Sequence, residues 1–125
     1  MVEVIKSSEG ETSESTPAEI FTGGQVWARR LSGPGTGRGQ DMSFGIEQFG
    51  AGARTRMHRH SSDQMLYVVA GIGKVGTADS EEVISAGDFA LVPAGEDHWH
   101  GAADTGSPMS HITVTRADSV TEVTE

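Results

Sequence analysis

All five histidines of the chain lie between His58 and His111, and four of them form two His-x-His pairs. His58 and His60 make the first pair, and His98 and His100 make the second. Side chains alternate between the two faces of a β-strand, so both imidazoles of a pair point to the same side if the pair lies on a strand. Imidazoles that converge from two strands are a typical ligand set for a divalent metal ion. The alternative is a scatter of surface and core histidines, which the repeated pairing makes the weaker interpretation.

The composition excludes several other kinds of chemistry. The chain has no cysteine, which rules out disulfides, thiolate zinc ligands and a cysteine nucleophile. Nine Lys and Arg residues against 18 Asp and Glu residues give a formal net charge of −9, which argues against nucleic acid and against a polybasic membrane anchor. The segment GPGTGRG at 33–39 does not match a dinucleotide fingerprint and is interpreted as a flexible connection. A small-molecule substrate remains the expected partner.

The elements that must position the histidines are β-strands. Short runs of Val, Ile, Phe, Tyr and Thr alternate with turn residues along nearly the whole chain, which is typical of an all-β sandwich or barrel. A length of 125 residues fits one domain. The predicted strands are 2–6, 25–31, 42–49, 54–60, 64–69, 74–77, 82–84, 88–92, 98–102 and 110–116.

The predicted barrel occupies residues 17–117, after an N-terminal strand and acidic spacer at 1–16 and before a C-terminal tail at 118–125. The longest apolar run, 65–70, is far shorter than the ~20 residues of a membrane-spanning helix, and the N-terminus lacks the apolar run of a signal peptide. We therefore expect a soluble cytoplasmic protein with no membrane partner. Because an unpaired edge strand is a liability, we also expect a homodimer in which residues 2–6 pair with the neighbouring subunit.

The spacing around the first histidine pair resembles a known motif. Gly52 is followed by five residues and His58, by one residue and His60, by three residues and Gln64, and by six residues and Gly71. This order resembles the first motif of the cupin family. Gln64 stands where that motif usually has Glu.

The spacing around the second pair resembles the second cupin motif. Gly87 is followed by five residues and Pro93, by one residue and Gly95, and by two residues and His98. The last Asn of that motif would fall at Ala102, where this sequence departs from the pattern. Together the two motifs imply a double-stranded β-helix, the jelly-roll barrel of small cupins. They also imply four metal ligands, which are His58, His60, Gln64 and His98.

A narrower resemblance runs along most of the chain. The segments PAEIFTG, GARTRMHRH, GEDHWHGAA and PMSHITV are similar to those of bacterial manganese cupins with (R)-hydroxynitrile lyase activity. That group pairs three His with one Gln at the metal, and the resemblance implies catalytic roles for His100, His111 and Thr55. The likeness is weaker over residues 33–48, so it says least about substrate choice. One divalent ion per chain is expected, with Mn favoured and Fe, Ni or Zn also suited to imidazole and amide ligands.

Two of these residues also have an interpretation from the pattern alone. His100 follows His98 on the same predicted strand face, and His111 shares its face with Thr113 and Thr115, which predicts a polar stripe facing inward. Either histidine can add an acid–base group to the pocket. The alternative for each is a buried histidine whose ring nitrogen bonds a backbone carbonyl.

The ligand set indicates what a bound metal would do. Three neutral imidazoles and a neutral amide oxygen leave the ion its full 2+ charge, so it stabilises an anion well. The favoured hypothesis is a Lewis-acid lyase that cleaves or forms cyanohydrins, in which His100 or His111 relays the proton. One alternative is a quercetinase-like metal-dependent dioxygenase that uses the same open positions for O2. The other is a protein that binds a metal or small ligand without catalysis.

Overall fold

The computed structural model describes residues 1–125 and contains strands but no helix. No segment could therefore cross a membrane as a long apolar helix. The strands are β1 (Ser13–Glu14), β2 (Phe21–Thr22), β3 (Val26–Ser32), β4 (Met42–Phe49), β5 (Arg54–Thr55), β6 (His58–His60), β7 (Gln64–Gly76), β8 (Glu81–Ser85), β9 (Phe89–Val92), β10 (Trp99–Gly101), β11 (Met109–Arg116) and β12 (Thr121–Val123).

Two antiparallel layers share the long strand β7. The first half of β7 pairs with β9 on one side and with β11 on the other, and β11 leads on to β4, β3 and β1. The second half pairs with β8 and β10, and β10 leads on to β5 and β2. The short pair β6 and β12 is joined to the end of β10 by a bridge between His58 and His98. This curled all-β arrangement confirms the predicted jelly-roll fold.

The continuity of β7 corrects the sequence-based prediction of two separate strands. Gly71 has a φ of 79°, and a Cβ added there would lie 2.0 Å from the carbonyl oxygen of Pro108. Glycine is required at that point because the strand bends against its neighbour, and the pairing with β11 shifts register close by, between Ser110 and His111. The prediction left residues 70–73 outside any strand, whereas they belong to one strand that is shared by both layers.

The strand predicted over 54–60 is also wrong as a single element. It divides into β5, which pairs with β2 and β10, and β6, which pairs with β12. Arg56 and Met57 belong to no strand and separate the two parts. The first histidine pair therefore lies in the short sheet of β6 and β12.

The two ends of the chain differ from the prediction. Residues 2–6 form no strand, and Val2 and Val4 are largely exposed because no apolar surface of the chain covers them. The N-terminal pairing is made instead by β1, which binds to β3 through Ser13 and Glu14. At the other end, β12 pairs with β6 and sets Thr121 opposite His60. A strand was not expected there, and it brings the C-terminal segment against the histidines.

The apolar core lies beside the inner histidines. Phe49 is 1% exposed, and its ring centroid lies 5.3 Å from that of His111 and 5.9 Å from that of His100. A close-packed neighbourhood of this kind restricts the rotamers of the imidazoles and so fixes where their nitrogens lie. The core cluster comprises Val26, Phe49, Ala53, Val68, Ile84, Ala102 and Met109.

Candidate metal centre and its pocket

Three histidines meet inside the barrel. His58 and His60 come from β6, and His98 lies just before β10. His58 and His98 exchange two backbone hydrogen bonds, each 2.9 Å long, which bring the two strands together at this level. One nitrogen from each of the three rings lies within 4.8 Å of the others, and all three residues are buried. The structure therefore brings together the three histidines that the sequence motifs select.

The outward nitrogens of two rings are held by backbone carbonyls. His58 Nδ1 donates to the Arg56 carbonyl at 2.8 Å, and His98 Nδ1 donates to the Glu96 carbonyl at 2.9 Å. A carbonyl oxygen only accepts, so each Nδ1 carries the proton of the neutral ring. Each Nε2 is then left with a lone pair. This is the arrangement by which second partners fix the tautomer of a metal-binding histidine.

His60 is held by the C-terminal strand. Its Nδ1 lies 2.8 Å from the Thr121 hydroxyl, and its Nε2 is buried with no hydrogen-bond partner in the protein. With Nδ1–H donating to the hydroxyl, Nε2 has the same free lone pair as in the other two rings. Sequence reasoning missed Thr121. The only signal was the alternation of Thr and Val in the last five residues, which is too short to stand out.

Gln64 completes the group. Its Nε2 donates to the Thr113 hydroxyl at 2.9 Å, which turns its Oε1 towards His98 Nε2 at 3.0 Å. Both of these facing atoms are acceptors, because the proton of His98 is on Nδ1. Two lone pairs at this distance repel each other unless a cation lies between them. The donor set thus fits a divalent metal ion better than it fits a hydrogen bond.

Burial keeps these rings neutral. Burial, together with repulsion from His98, lowers the pKa of both His58 and His60 from 6.5 to about 4. Burial also lowers the pKa of His98. Neutral imidazoles do not have to lose a proton before they bind a metal at neutral pH. The four side chains together carry no charge.

A cavity of about 440 Å³ opens beside these side chains. Its volume is in the range of small-molecule pockets. The inward faces of β4 and β11 form one wall, with Gly45 of β4 paired to Thr113 of β11. Thr55 and His100 line the cavity from β5 and β10. Three of the four candidate ligands, His58, His60 and Gln64, thus line the cavity themselves.

His100 and His111 form a second pair of rings. His111 Nε2 and His100 Nδ1 lie 2.9 Å apart, so one proton is shared between the two neutral rings. Burial lowers the pKa of His111 to about 4 and places the pKa of His100 well below its ordinary value. The Thr55 hydroxyl accepts from the backbone N–H of His100 at 3.1 Å. His111 does not line the cavity and lies behind His100, whose second nitrogen has no partner.

Sequence reasoning also missed Glu47. It lies on β4 and pairs in register with His111 on β11. Its Oε1 is 3.9 Å from His111 Nε2, and burial raises its pKa from 4.5 to about 7. The signal was available in the predicted strand over 42–49. Glu47 and Phe49 are two residues apart on that strand and therefore share a face.

Comparison with known proteins identifies the class. The family described as cupin domain matches residues 45–115, and the chain belongs to the cupin family. The chain is 35% identical over 113 residues to the (R)-mandelonitrile lyase of Granulicella tundricola, covering 88% of this chain and 82% of that protein. This likeness supports the narrower resemblance found in the sequence.

Solved structures show the same fold. A cupin-like protein from Thermotoga maritima superposes with a TM-score of 0.78 at 26% identity, over 98% of this chain and 89% of that one. The polyketide cyclase RemF from Streptomyces resistomycificus superposes with a TM-score of 0.83 at 16% identity, over 100% of this chain and 87% of that one. At that identity the second likeness concerns the fold alone.

Proposed function

We propose that the chain binds one divalent metal ion inside the barrel. The supporting observation is the contact between two acceptors, His98 Nε2 and Gln64 Oε1, at 3.0 Å. Mn is the favoured ion from the resemblance, and Fe, Ni and Zn also suit imidazole and amide ligands. The proposed ligands are His58, His60, Gln64 and His98.

We further propose that the protein is a lyase that cleaves and forms cyanohydrins. When bound, the ion would act as a Lewis acid that keeps its full 2+ charge, because all four proposed ligands are neutral. The relative from Granulicella tundricola is named for the same reaction class. The cavity of about 440 Å³ accommodates a small aromatic cyanohydrin.

The chain's own residues would position the substrate. His100 lines the cavity, and its unpartnered Nε2 is free to hydrogen-bond a substrate oxygen. His111 would hold His100 in one orientation through the 2.9 Å bond between their rings. Thr55 lines the same cavity, and its hydroxyl accepts from the backbone N–H of His100. The same hydroxyl would therefore hold His100 in place and contact the substrate.

The test is a comparison of metal-loaded and chelated protein. Purified protein is analysed for metal and then assayed for release of benzaldehyde from mandelonitrile and, on the same sample, for O2 uptake. We expect cleavage without O2 consumption, loss of cleavage on chelation, and recovery on adding Mn. The variant His58→Ala is the metal-free control. Substrate-dependent O2 uptake without cleavage would support the dioxygenase alternative, and stoichiometric metal without any turnover would support the binding protein.

A further inference from the structure

Glu47 is the one carboxyl group that lines the cavity. Its place is set by the pairing of β4 with β11, which puts it directly opposite His111, with Ala28 of β3 on its other side. The side chain is 20% exposed, and this exposure is towards the cavity that it lines. Glu47 is thus a pocket residue and not a surface carboxylate.

No structural partner explains a carboxyl group at this position. Its nearest titratable neighbour is His111 Nε2 at 3.9 Å, which is beyond hydrogen-bond range. Burial alone accounts for its perturbed pKa, with no hydrogen bond and no charge partner. A buried carboxyl without a partner costs stability, and groups of this kind cluster at functional sites.

The basic groups that line the same cavity are bonded elsewhere. Arg29 and Arg30 of β3 donate to the carbonyls of Lys6 and Pro34, each at 2.8 Å. Arg116 of β11 pairs with Asp118 at 2.7 Å. Apart from these arginines, the titratable groups that face Glu47 are His111 from β11 and His100 from β10.

The pair formed by His100 and His111 is a poorer proton acceptor than Glu47. His100 and His111 already share one proton, and a second proton would put a positive charge on buried rings. The pKa of His111 is about 4 and that of Glu47 is about 7. The Glu47 carboxylate therefore binds a proton more tightly than the His111 ring. At neutral pH Glu47 can both take and release a proton.

We propose that Glu47 is a catalytic residue, the general base and general acid of this pocket. The inference takes its substrate from the proposed lyase function. In cleavage, the Glu47 carboxylate takes the hydroxyl proton of the cyanohydrin. The O–H electron pair becomes the second bond of the carbonyl, and the C–CN bond breaks with its electron pair on cyanide. The carboxylic acid then gives its proton to cyanide, which leaves HCN, the carbonyl compound and the restored carboxylate.

The kinetic test compares Glu47→Gln with the wild type and with Glu82→Gln. Glu82 is an exposed carboxylate on β8, so its variant controls for loss of one charge. We expect Glu47→Gln to keep its metal content and KM, and to lose about 100-fold in kcat at neutral pH. The pH inflection of kcat should disappear with it. Formate added to Glu47→Ala should restore part of the rate. A Glu47→Gln enzyme with wild-type kcat at every pH overturns the proposal.

An infrared titration tests Glu47 without turnover. Exposed carboxyl groups are ionised by pH 6, so a carboxylic-acid C=O band that persists at that pH reports a buried acid. We expect such a band in wild-type protein, with a midpoint near pH 7, and its absence from Glu47→Gln. If the variant does not fold, the titration of the wild-type protein still tests the proposal by itself. A spectrum without a band at pH 6 overturns the proposal.

The two tests separate the inference from the function on which it rests. If wild-type protein cleaves no cyanohydrin but shows the band, the lyase proposal fails and Glu47 is upheld as the proton-exchanging group of the pocket. If wild-type protein cleaves cyanohydrins and Glu47→Gln does so equally well, the lyase proposal is upheld and the role of Glu47 is overturned.

Discussion

Replacing Glu47 by Gln should change how the stability of the metal-free protein depends on pH. Burial raises the pKa of Glu47 from 4.5 to about 7 in the folded state, and the unfolded chain has the ordinary value. Between these two pH values the folded protein holds a proton that the unfolded chain has released. Stability contributed by this group is therefore present below pH 4.5 and is lost as pH rises to about 7.

The expected size follows from the two pKa values. The difference between 4.5 and about 7 corresponds to at most about 3 kcal/mol of unfolding free energy. Gln is neutral at every pH and has no such dependence. The buried histidines act in the opposite direction: the folded pKa of His58, His60 and His111 is about 4, so their contribution to stability is gained as pH rises from about 4 to 6.5. They are present in both proteins, and their effect cancels when the two are compared.

The assay is urea unfolding of chelated wild type and Glu47→Gln at pH 5 and at pH 8.5. Relative to the wild type, the variant should gain about 2–3 kcal/mol between the lower and the higher pH, somewhat less than the full difference because the unfolded carboxyl is already mostly ionised at pH 5. Glu82→Gln is the matched control and should show no gain, since Glu82 is exposed. The same pH dependence in wild type and Glu47→Gln would refute the argument that Glu47 is a desolvated carboxyl.

Four further predictions concern the metal, its ligands and assembly. His98→Ala should remove bound metal and lower the melting temperature, because a ligand that binds only the folded state stabilises it; stoichiometric metal in the variant would contradict the site. Thr121→Val should weaken metal binding about 10–100-fold in a chelator competition, whereas Thr124→Val should not. Gln64→Glu should bind metal more tightly and slow cyanohydrin cleavage, since the added charge weakens the Lewis acid; full cleavage in the metal-replete variant would refute this. A homodimer should appear by light scattering and be lost in Leu91→Arg, because Leu91 is 70% exposed on the outer face of β9; a monomeric wild type would refute the dimer.

The sequence predicted the features that depend on residues close together along the chain. The strand over 42–49 has the predicted bounds because its alternation and its flanking turn residues are local signals. The spacing of His58 and His60 placed these two rings on one side for the same reason, since residues two apart on a strand share a face. These local patterns fix which side chains point inward whatever their distant partners are.

The errors came from contacts between distant parts of the chain. The prediction broke the strand at 70–73, and only the close approach of Pro108 to Gly71 shows how one continuous strand passes through this point. Thr121 acquires its role from a partner 61 positions away, His60. Glu47 acquires its role from the register between β4 and β11. The role of each of these three residues is set by which strands become neighbours, and the local pattern around the residue does not say which strands those are.

One strand connects the two chemical groups of the pocket. His98 and His100 lie two residues apart at β10, and their rings are nearly parallel, at 17°, with centroids 5.6 Å apart. His98 faces the amide of Gln64, whereas His100 faces His111 and the carboxyl of Glu47 beyond it. In the proposed function the neutral amide lies where a charge would weaken the Lewis acid, and the carboxyl lies on the wall where it can exchange a proton. Exchanging the amide of Gln64 and the carboxyl of Glu47 would impair two steps, the stabilisation of an anion by the metal and the exchange of a proton with the substrate. The first step depends on a neutral ligand and the second on an ionisable group in the wall.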